Sequence, residues 1–301
     1  MRLVKIFGEV WGSQGGTTVF VPVSLCFHDE MARKQRLDLH TLTLGLVLSR
    51  QQAQQLIRAG KVRDRHGQLL DKPGQMVALD LKLVVEQPPR FVSRGGEKLL
   101  AALKAFPVAV EGRICLDGGI STGGFTDCLL QHGARRVYGV DVGYGQTAWS
   151  LRTDARVVLR ERTNLRRLNP AELYSPEDIR PTLAVADVSF ISLKLVLPAI
   201  QKLLDLHGSE AIVLVKPQFE VGRERVGKGG VVRDQAAHID AIQSVIQSAR
   251  SLGWIAQGLV ASPITGPAGN HEYLLWMGAN SNQITEGEVI EVVQNTLNAN
   301  N

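Results

Sequence analysis

The residues Asp117, Gly119, Ser121 and Gly123 form the pattern Asp-x-Gly-x-Ser-x-Gly. The apolar run Ile114-Cys115-Leu116 precedes it and reads as a buried strand. A strand that feeds a tight Gly-rich turn and a helix start builds a nucleotide-type cofactor site at the end of a parallel sheet. The spacing is not Gly-x-Gly-x-x-Gly, because Ile120 and Thr122 interrupt it, which argues against the dinucleotide fingerprint. No lysine lies in the loop. An acid at the strand end suits a ligand with a cationic or zwitterionic end better than a phosphate. The alternative is a Gly-rich turn with no ligand. Asp141 lies 24 positions after Asp117 and ends a second apolar run, Val137-Tyr138-Gly139-Val140. An acid about 20 residues beyond a Gly-rich turn commonly holds a ribose diol; the alternative is a cap or turn residue.

The loop is similar to the first motif of S-adenosylmethionine-dependent methyltransferases. Three further charges stand in apolar company. Asp187 closes Leu183-Ala184-Val185-Ala186, Lys216 follows Ala211-Ile212-Val213-Leu214-Val215, and Lys98 heads a helix after Arg94-Gly95-Gly96-Glu97. The alternative for such a lysine is an aliphatic stem snorkelling from a strand end. An amino-methylating enzyme would carry Asn/Asp-Pro-Pro-aromatic where this chain has Asp187-Val188-Ser189-Phe190. A cysteine nucleophile is unsupported, since no Pro-Cys occurs and Cys115 and Cys128 lie inside the cofactor elements. What remains is Lys, Asp, Lys and a later Glu, a set suited to deprotonating an alcohol.

Ordered motifs then carry a specific resemblance over roughly residues 31–280. They are Ser93-Arg94-Gly95-Gly96-Glu97-Lys98-Leu99, Ser121 to Asp127, Asp187 to Leu193, Val215-Lys216-Pro217-Gln218-Phe219-Glu220, Gly227 to Asp234, and Ser262-Pro263-Ile264 with Gly269-Asn270-His271-Glu272. The chain resembles the TlyA family of RNA 2'-O-methyltransferases, often catalogued as haemolysin-like, with an FtsJ-like catalytic domain. The resemblance implies a Lys-Asp-Lys-Glu tetrad at Lys98, Asp187, Lys216 and Glu272. It also implies S-adenosylmethionine bound by Asp117, Gly119, Ser121, Thr122, Gly123, Gly124, Phe125, Asp141 and Asp187, and cytidine in ribosomal RNA or ribosomal subunits as substrate. Lys216 is the expected base and Lys98 its positioning and electrostatic partner. A free lysine has a pKa of about 10.4, so burial or a second cation must lower it. The chain departs from the family at Gly118 and Ile120, where Val and Ala are commoner; the bulk of Ile120 is expected to shift the loop backbone. The Gly-rich basic loop 227–233 reads either as a flap closing over substrate or as a mobile surface loop.

These residues need a scaffold. Apolar strands near 113–117, 136–141, 156–159, 183–187, 211–215, 254–261 and 272–278 alternate with helices near 96–106, 124–132, 171–179, 192–205 and 234–252. That alternation predicts an α/β fold, a doubly wound, mainly parallel Rossmann-like sheet. Ahead of it lies a small basic segment. Residues 31–90 hold eleven Lys and Arg against five acids, while residues 91–301 balance at 21 against 21, so the net charge of +5 is concentrated in one place. Such a local excess is an electrostatic footprint for nucleic acid, or else a solvated basic face.

Within that segment a short helix at Arg36–Leu46 precedes a capping box at Ser49 and Gln52. The box opens a second helix, Arg50 to Ala59, stopped by Gly60. A strand at Lys61-Val62-Arg63 follows, then a type II turn at Asp71-Lys72-Pro73-Gly74 and a strand from Gln75 to Val85. This order resembles the alpha-L RNA-binding motif, which implies an α+β RNA-binding domain. Arg36, Arg50, Arg58, Lys61, Arg63, Arg65 and Arg90 are its candidate contacts. Without an aromatic row for stacking single-stranded bases, shape recognition of folded RNA fits best.

The expected domains are an extension at 1–30, the RNA-binding unit at 31–86, a stiff Pro-Pro linker at 87–93, the methyltransferase domain at 94–282 and a C-terminal helix or tail at 283–301. The extension makes a poor secretion signal, having no small-residue cleavage site; it reads as a disordered extension or as a mis-assigned start, with Met31 the preferred natural beginning. Three cysteines without a Cys-x-x-Cys pair fit a reducing cytoplasm, and no His or Cys spacing suggests a metal. No apolar run nears the ~20 residues of a membrane span. The competing readings are a membrane-active haemolysin and a non-catalytic RNA-binding ribosome assembly factor.

Overall fold

The computed structural model describes residues 33–86, 89–205, 208–279 and 282–299. The expectations for the extension at 1–30 and for a start at Met31 lie outside the described residues, as do Gln87 and Pro88 of the linker. The chain divides into two compact units, with the boundary between Pro88 and Pro89.

The first unit runs β1 (Lys34–Arg36), α1 (Leu37–Thr43), α2 (Arg50–Arg58), β2 (Val62–Asp64), β3 (Met76–Ala78) and β4 (Leu83–Val85). Ser49 Oγ caps α2 by accepting from Gln52 N–H, and α2 stops at Gly60, whose φ of +70° suits glycine. Leu37, Ala53, Ile57 and Val62 form its core. The segment Gln75 to Val85 is two strands rather than one. β3 pairs antiparallel with β1, and β4 pairs antiparallel with β2. Between them Leu81 N–H turns back to Ala78 O around Asp80, a turn-favouring residue. The Pro73-Gly74 turn closes from Gln75 N–H to Lys72 O at 3.0 Å, but Gly74 is not left-handed, so it is not type II. A Cβ at Gly74 would stand 3.2 Å from the Arg36 guanidinium, so that side chain would have to give by a few tenths of an ångström.

The second unit runs α3 (Gly95–Ala105), β5 (Ile114–Gly118), α4 (Gly124–Gln131), β6 (Arg136–Val140), α5 (Trp149–Arg152), β7 (Val157–Arg160), α6 (Pro170–Leu173), β8 (Leu183–Ala186), α7 (Leu197–Leu203), β9 (Glu210–Val215), α8 (Pro217–Glu220), α9 (Gln235–Ser251), β10 (Ile255–Ala261), β11 (Tyr273–Gly278) and α10 (Glu286–Asn298). Among the described residues seven strands make one sheet in the order β10-β11-β9-β8-β5-β6-β7. β7, β6, β5, β8 and β9 are mutually parallel, and β11 is antiparallel to both neighbours. Side chains alternate across the sheet. Leu116, Tyr138, Ile200 and Ile242 pack on one face, and Leu99, Cys115, Leu129 and Ile212 on the other. Helices on both faces explain why the strands read as continuous apolar runs.

The helix expected over 171–179 is the single turn α6. Pro176 blocks continuation, and Tyr174 is already extended. The helix expected over 192–205 divides into a 3-10 turn at Leu193–Leu195 and α7. Among the described residues no helix is long and apolar enough to cross a membrane.

Candidate active site

The sheet reverses its winding between β5 and β8. The chain moves outward through β6 and β7 on one side and through β9 on the other. Ligands of such sheets bind beyond the strand carboxyl ends at this switch point. A cavity of about 470 Å³ lies there, lined by Gly119 after β5, Asp141 after β6 and Asp187 after β8. Ser121 lines it too, in a left-handed conformation (φ +48°). Its N–H donates to Asp141 Oδ2 at 2.8 Å, and Gly143 N–H donates to Asp141 Oδ1 at 2.7 Å. Asp141 therefore ties two loops together, and each of its oxygens keeps a lone pair for a ligand hydroxyl.

The other expected cofactor residues support this loop from behind. Asp117 is fully buried beneath it and accepts from the Thr126 hydroxyl at 2.6 Å. Thr122 carries the loop onward, its carbonyl accepting from Ala148 N–H. Gly123 is left-handed (φ +101°) and starts α4, where a Cβ would stand 2.2 Å from Leu151. Gly124 lies so close to Ser93 that a Cβ would meet its Oγ at 2.3 Å. Phe125 is buried in the core beside Phe91 and Leu99. None of these five lines the cavity. Sequence reasoning missed the opposite wall, Thr163 to Arg166 after β7 and Val188 to Ile191 after β8. Their signal was available, since both segments follow the carboxyl end of a parallel strand.

The Ile120 side chain turns inward, 3% exposed, onto Gly139 of β6, where a Cβ would stand 2.4 Å from Ile120 Cδ1.

The donor set fits a cationic ligand. Burial, with Asp187 and Asp141 adding to it, pushes the Asp117 carboxyl up to about 7. Its Oδ1 is buried with no hydrogen-bond partner in the structure. The carboxylates that do line the cavity, Asp141 and Asp187, match an ammonium or a sulfonium and not a phosphate.

Beside the cavity the four tetrad residues come together from four elements. Lys98 Nζ donates to Glu272 Oε2 at 2.5 Å and stands 4.0 Å from Asp187 Oδ2. Lys216 Nζ lies 2.6 Å from Asp187 Oδ1 and donates to Ser189 Oγ at 2.8 Å. The order Glu272, Lys98, Asp187, Lys216 alternates in charge, so each lysine faces a carboxylate. Lys98, Lys216 and Glu272 are 8%, 7% and 2% exposed. Strand direction explains the convergence. Asp187 and Lys216 follow the carboxyl ends of β8 and β9. Antiparallel β11 begins at that same edge, with Tyr273 opposite Val215, so Glu272 arrives there from its amino end.

Two features near the tetrad were not anticipated. Phe190 is 91% exposed at the cavity lip, left-handed (φ +62°), with its ring 5.3 Å from that of Phe219. Glu220 accepts from Ser192 Oγ at 2.6 Å and Leu193 N–H at 2.8 Å. It thereby fastens the Asp187 loop to α8, and burial holds its carboxyl above the ordinary value.

In the first unit Asp38 is fully buried and receives Arg36, Arg50 and Gln54. Arg36 and Arg50 thus brace the fold while staying about half exposed, at 42% and 49%. Lys61 pairs with Glu86, Arg63 donates to Gly67 O and Arg65 to His66, and Arg58 is exposed. Arg90 lies beyond the unit boundary, with its guanidinium 5.1 Å from the Phe91 ring centroid.

Comparison with known proteins identifies the family. The family described as FtsJ-like methyltransferase matches residues 91–279. The 16S/23S rRNA (cytidine-2'-O)-methyltransferase TlyA of Mycobacterium tuberculosis (strain H37Rv) is 47% identical over 263 residues, spanning 87% of this chain and 96% of the relative. Hemolysin A of Brachyspira hyodysenteriae is 41% identical over 240 residues, 79% of this chain and 98% of that one. A solved hemolysin-named protein from Streptococcus thermophilus superposes with a TM-score of 0.66 at 39% identity, covering 89% of this chain and 98% of its own. The chain belongs to the FtsJ-like methyltransferase family and, within it, to the TlyA group.

Proposed function

We propose that this protein is an S-adenosylmethionine-dependent methyltransferase that modifies the ribose 2'-hydroxyl of cytidine in ribosomal RNA. The observation that carries the reading is the alternating string Glu272–Lys98–Asp187–Lys216 at the rim of a cavity suited to a cationic ligand. The substrate follows the TlyA relative, which acts on cytidine 2'-oxygens of 16S and 23S rRNA.

When bound, S-adenosylmethionine supplies an electrophilic methyl on a sulfonium. Asp141 is the group for its ribose diol, and Asp187 supplies negative charge to its cationic end, with Asp117 buried behind the loop. Lys216 is the base. A lysine nitrogen has three donor positions; Asp187 and Ser189 take two, which leaves one to meet the substrate hydroxyl. In its neutral form Lys216 takes the 2'-hydroxyl proton at Nζ as the oxygen attacks. Lys98, held by Glu272, orients Asp187 and offsets charge at the reacting oxygen. Base catalysis of this kind contributes roughly 10²- to 10⁴-fold, and alignment of the reacting atoms supplies much of the rest. Phe190 offers an exposed ring on which an unstacked base can lie.

The first unit is an RNA-binding domain of alpha-L type. Arg58, Arg63 and Arg65 are its outward cations, with Arg36, Arg50 and Lys61 contributing from their ion pairs. Such contacts position the protein on folded RNA and do not read sequence.

The test is tritiated-methyl transfer to ribosomal subunits from a strain lacking the enzyme, with wild type beside Lys216→Ala. Label transferred by wild type alone and mapped to a cytidine 2'-oxygen supports the reading. No transfer to either subunit, despite binding of the methyl donor, sinks it in favour of an assembly factor.

A further inference from the structure

The Gly-rich loop before α9 is built as a fixed arm. Gly227 N–H donates to Val231 O and Gly230 N–H to Gly227 O, closing a small ring. Gly229 and Gly230 are both left-handed, at φ +77°. The ring is bolted to the interior by two buried side chains. Asn270, 1% exposed, donates from Nδ2 to Gly230 O at 2.8 Å and accepts at Oδ1 from Val232 N–H at 3.0 Å. His238, fully buried, bonds Val232 O through Nε2 at 3.0 Å, and its Nδ1 meets the Tyr273 hydroxyl at 2.9 Å. Both polar groups of Val232 are thus held by side chains. The anchors Asn270 and Tyr273 flank Glu272 in sequence, so Asn270 Cα lies within about 7 Å of Glu272 Cα.

The arm ends in charge. Lys228 and Arg233 are exposed, and among the described residues neither has an ion pair. The nearby acids Asp234 and Asp240 are taken by Arg225. The exposed side chains of Lys228 and Arg233 are the charges the ring offers to a partner.

We propose that residues 227–233 form a preset arm for the phosphate backbone of the substrate RNA, with Lys228 and Arg233 as its contacts and Asn270 as the positioning residue that locks the arm beside the tetrad. This rests on the RNA methyltransferase reading above. A flap that closes on substrate would lack such anchors. A fixed arm spares RNA binding the entropy of ordering a loop, and it acts on affinity and register, not on the chemical step.

The experiment measures methyl transfer to isolated ribosomal subunits against salt, for wild type, Lys228→Ala/Arg233→Ala, Asn270→Ala and Gly230→Ala. The exposed double variant is expected to raise KM for subunits several-fold, leaving kcat and methyl-donor affinity in place. Each lost phosphate contact lowers the slope of log KM against log salt by about 0.7 to 0.9, so the pair lowers it by about 1.5. Asn270→Ala is expected to lose the same slope and to add nothing when combined with the double variant. Should the buried Asn270→Ala not fold, Gly230→Ala strains the arm from outside, since a Cβ there meets nothing within 4 Å but sits at a left-handed φ. An unchanged KM and slope in Lys228→Ala/Arg233→Ala overturns the proposal. So does a fall in kcat or methyl-donor affinity in Gly230→Ala with the RNA slope intact. Absence of wild-type transfer overturns the parent reading instead, which separates the two failures.

Discussion

Asp187 and Lys216 form an ion pair of 2.6 Å at the ends of adjacent parallel strands. One carboxylate therefore orients the proposed base through Oδ1 and faces Lys98 through Oδ2, 4.0 Å away. Residues acting as one unit give non-additive losses. Lys216→Ala is expected to lower the single-turnover rate roughly 10²- to 10⁴-fold. Asp187→Asn should fall in the same direction, and the double variant should be little worse than Lys216→Ala. Rapid-quench methyl transfer at saturating methyl donor checks this. Lys216→Ala retaining more than about a tenth of the wild-type rate rules it out as the base.

Asp117 makes methyl-donor binding pH-dependent. Its carboxyl is pushed up to about 7 by burial, above the unfolded value of about 3.9. The folded apoprotein holds this proton more tightly than the unfolded chain does. Folding stability from this group is thus full below about pH 4 and declines as pH rises toward 7. A cationic ligand in the cavity in front of the loop favours the carboxylate through space, so binding releases the proton and affinity rises with pH between 6 and 8. Calorimetry in buffers of different ionisation enthalpy reports the proton. Asp117→Asn should remove the release and flatten the pH profile. A flat wild-type profile would show that the ligand does not act on this carboxylate.

The sequence exposed Asp187, Lys216 and the sheet because strand ends carry charge against apolar runs, whereas Lys98 and Glu272 joined the tetrad through the family resemblance. Lys216 after five apolar residues is legible without coordinates, and so is Asp187 after four. Glu272 is not. It precedes an antiparallel strand, so its approach to Lys98 depends on a reversal that no local pattern marks. The split of Gln75 to Val85 was hidden for a similar reason. Alternating apolar residues run through Asp80, and only the pairing of β3 with β1 and of β4 with β2 separates the halves. The opposite wall of the cavity, Thr163 to Arg166, was missed because its residue types are those of any loop, and only its place after the carboxyl end of a parallel strand marks it. The cofactor loop over-read in the other direction: Gly123, Gly124 and Phe125 match a binding motif, but their spacing serves close packing.

Ile120 and Gly139 form a matched pair. With Ile120 Cδ1 at 2.4 Å from the Cβ position of residue 139, Gly139→Ala overpacks the sheet. The expected cost is about 1–3 kcal/mol, with weaker methyl-donor binding because the strain falls on the loop that holds Ser121. Ile120→Val removes the clashing methyl. The combination Ile120→Val/Gly139→Ala should recover most of the lost stability and affinity, as read by urea denaturation and calorimetry. Purely additive losses would mean that the two side chains do not compete for one space.

Asp38 is the acid-sensitive point of the first unit. The guanidiniums of Arg36 and Arg50 and the Gln54 amide hold its carboxyl well below the usual carboxylate range. A depressed folded pKa gives stability that is present above the unfolded value of about 3.9 and lost as pH falls toward the folded one. Protection factors for amide exchange in α1 and α2 (observed rates corrected for the intrinsic pH dependence) should therefore fall below about pH 4. Asp38→Asn should exchange faster than wild type at pH 7 and depend less on acid, because it lacks the charge that the arginines brace. In that variant Arg36 and Arg50 lose their anchor, and KM for ribosomal subunits should rise while kcat stays put. A wild-type protection factor that is constant from pH 7 to 3 would remove Asp38 as the keystone of this unit.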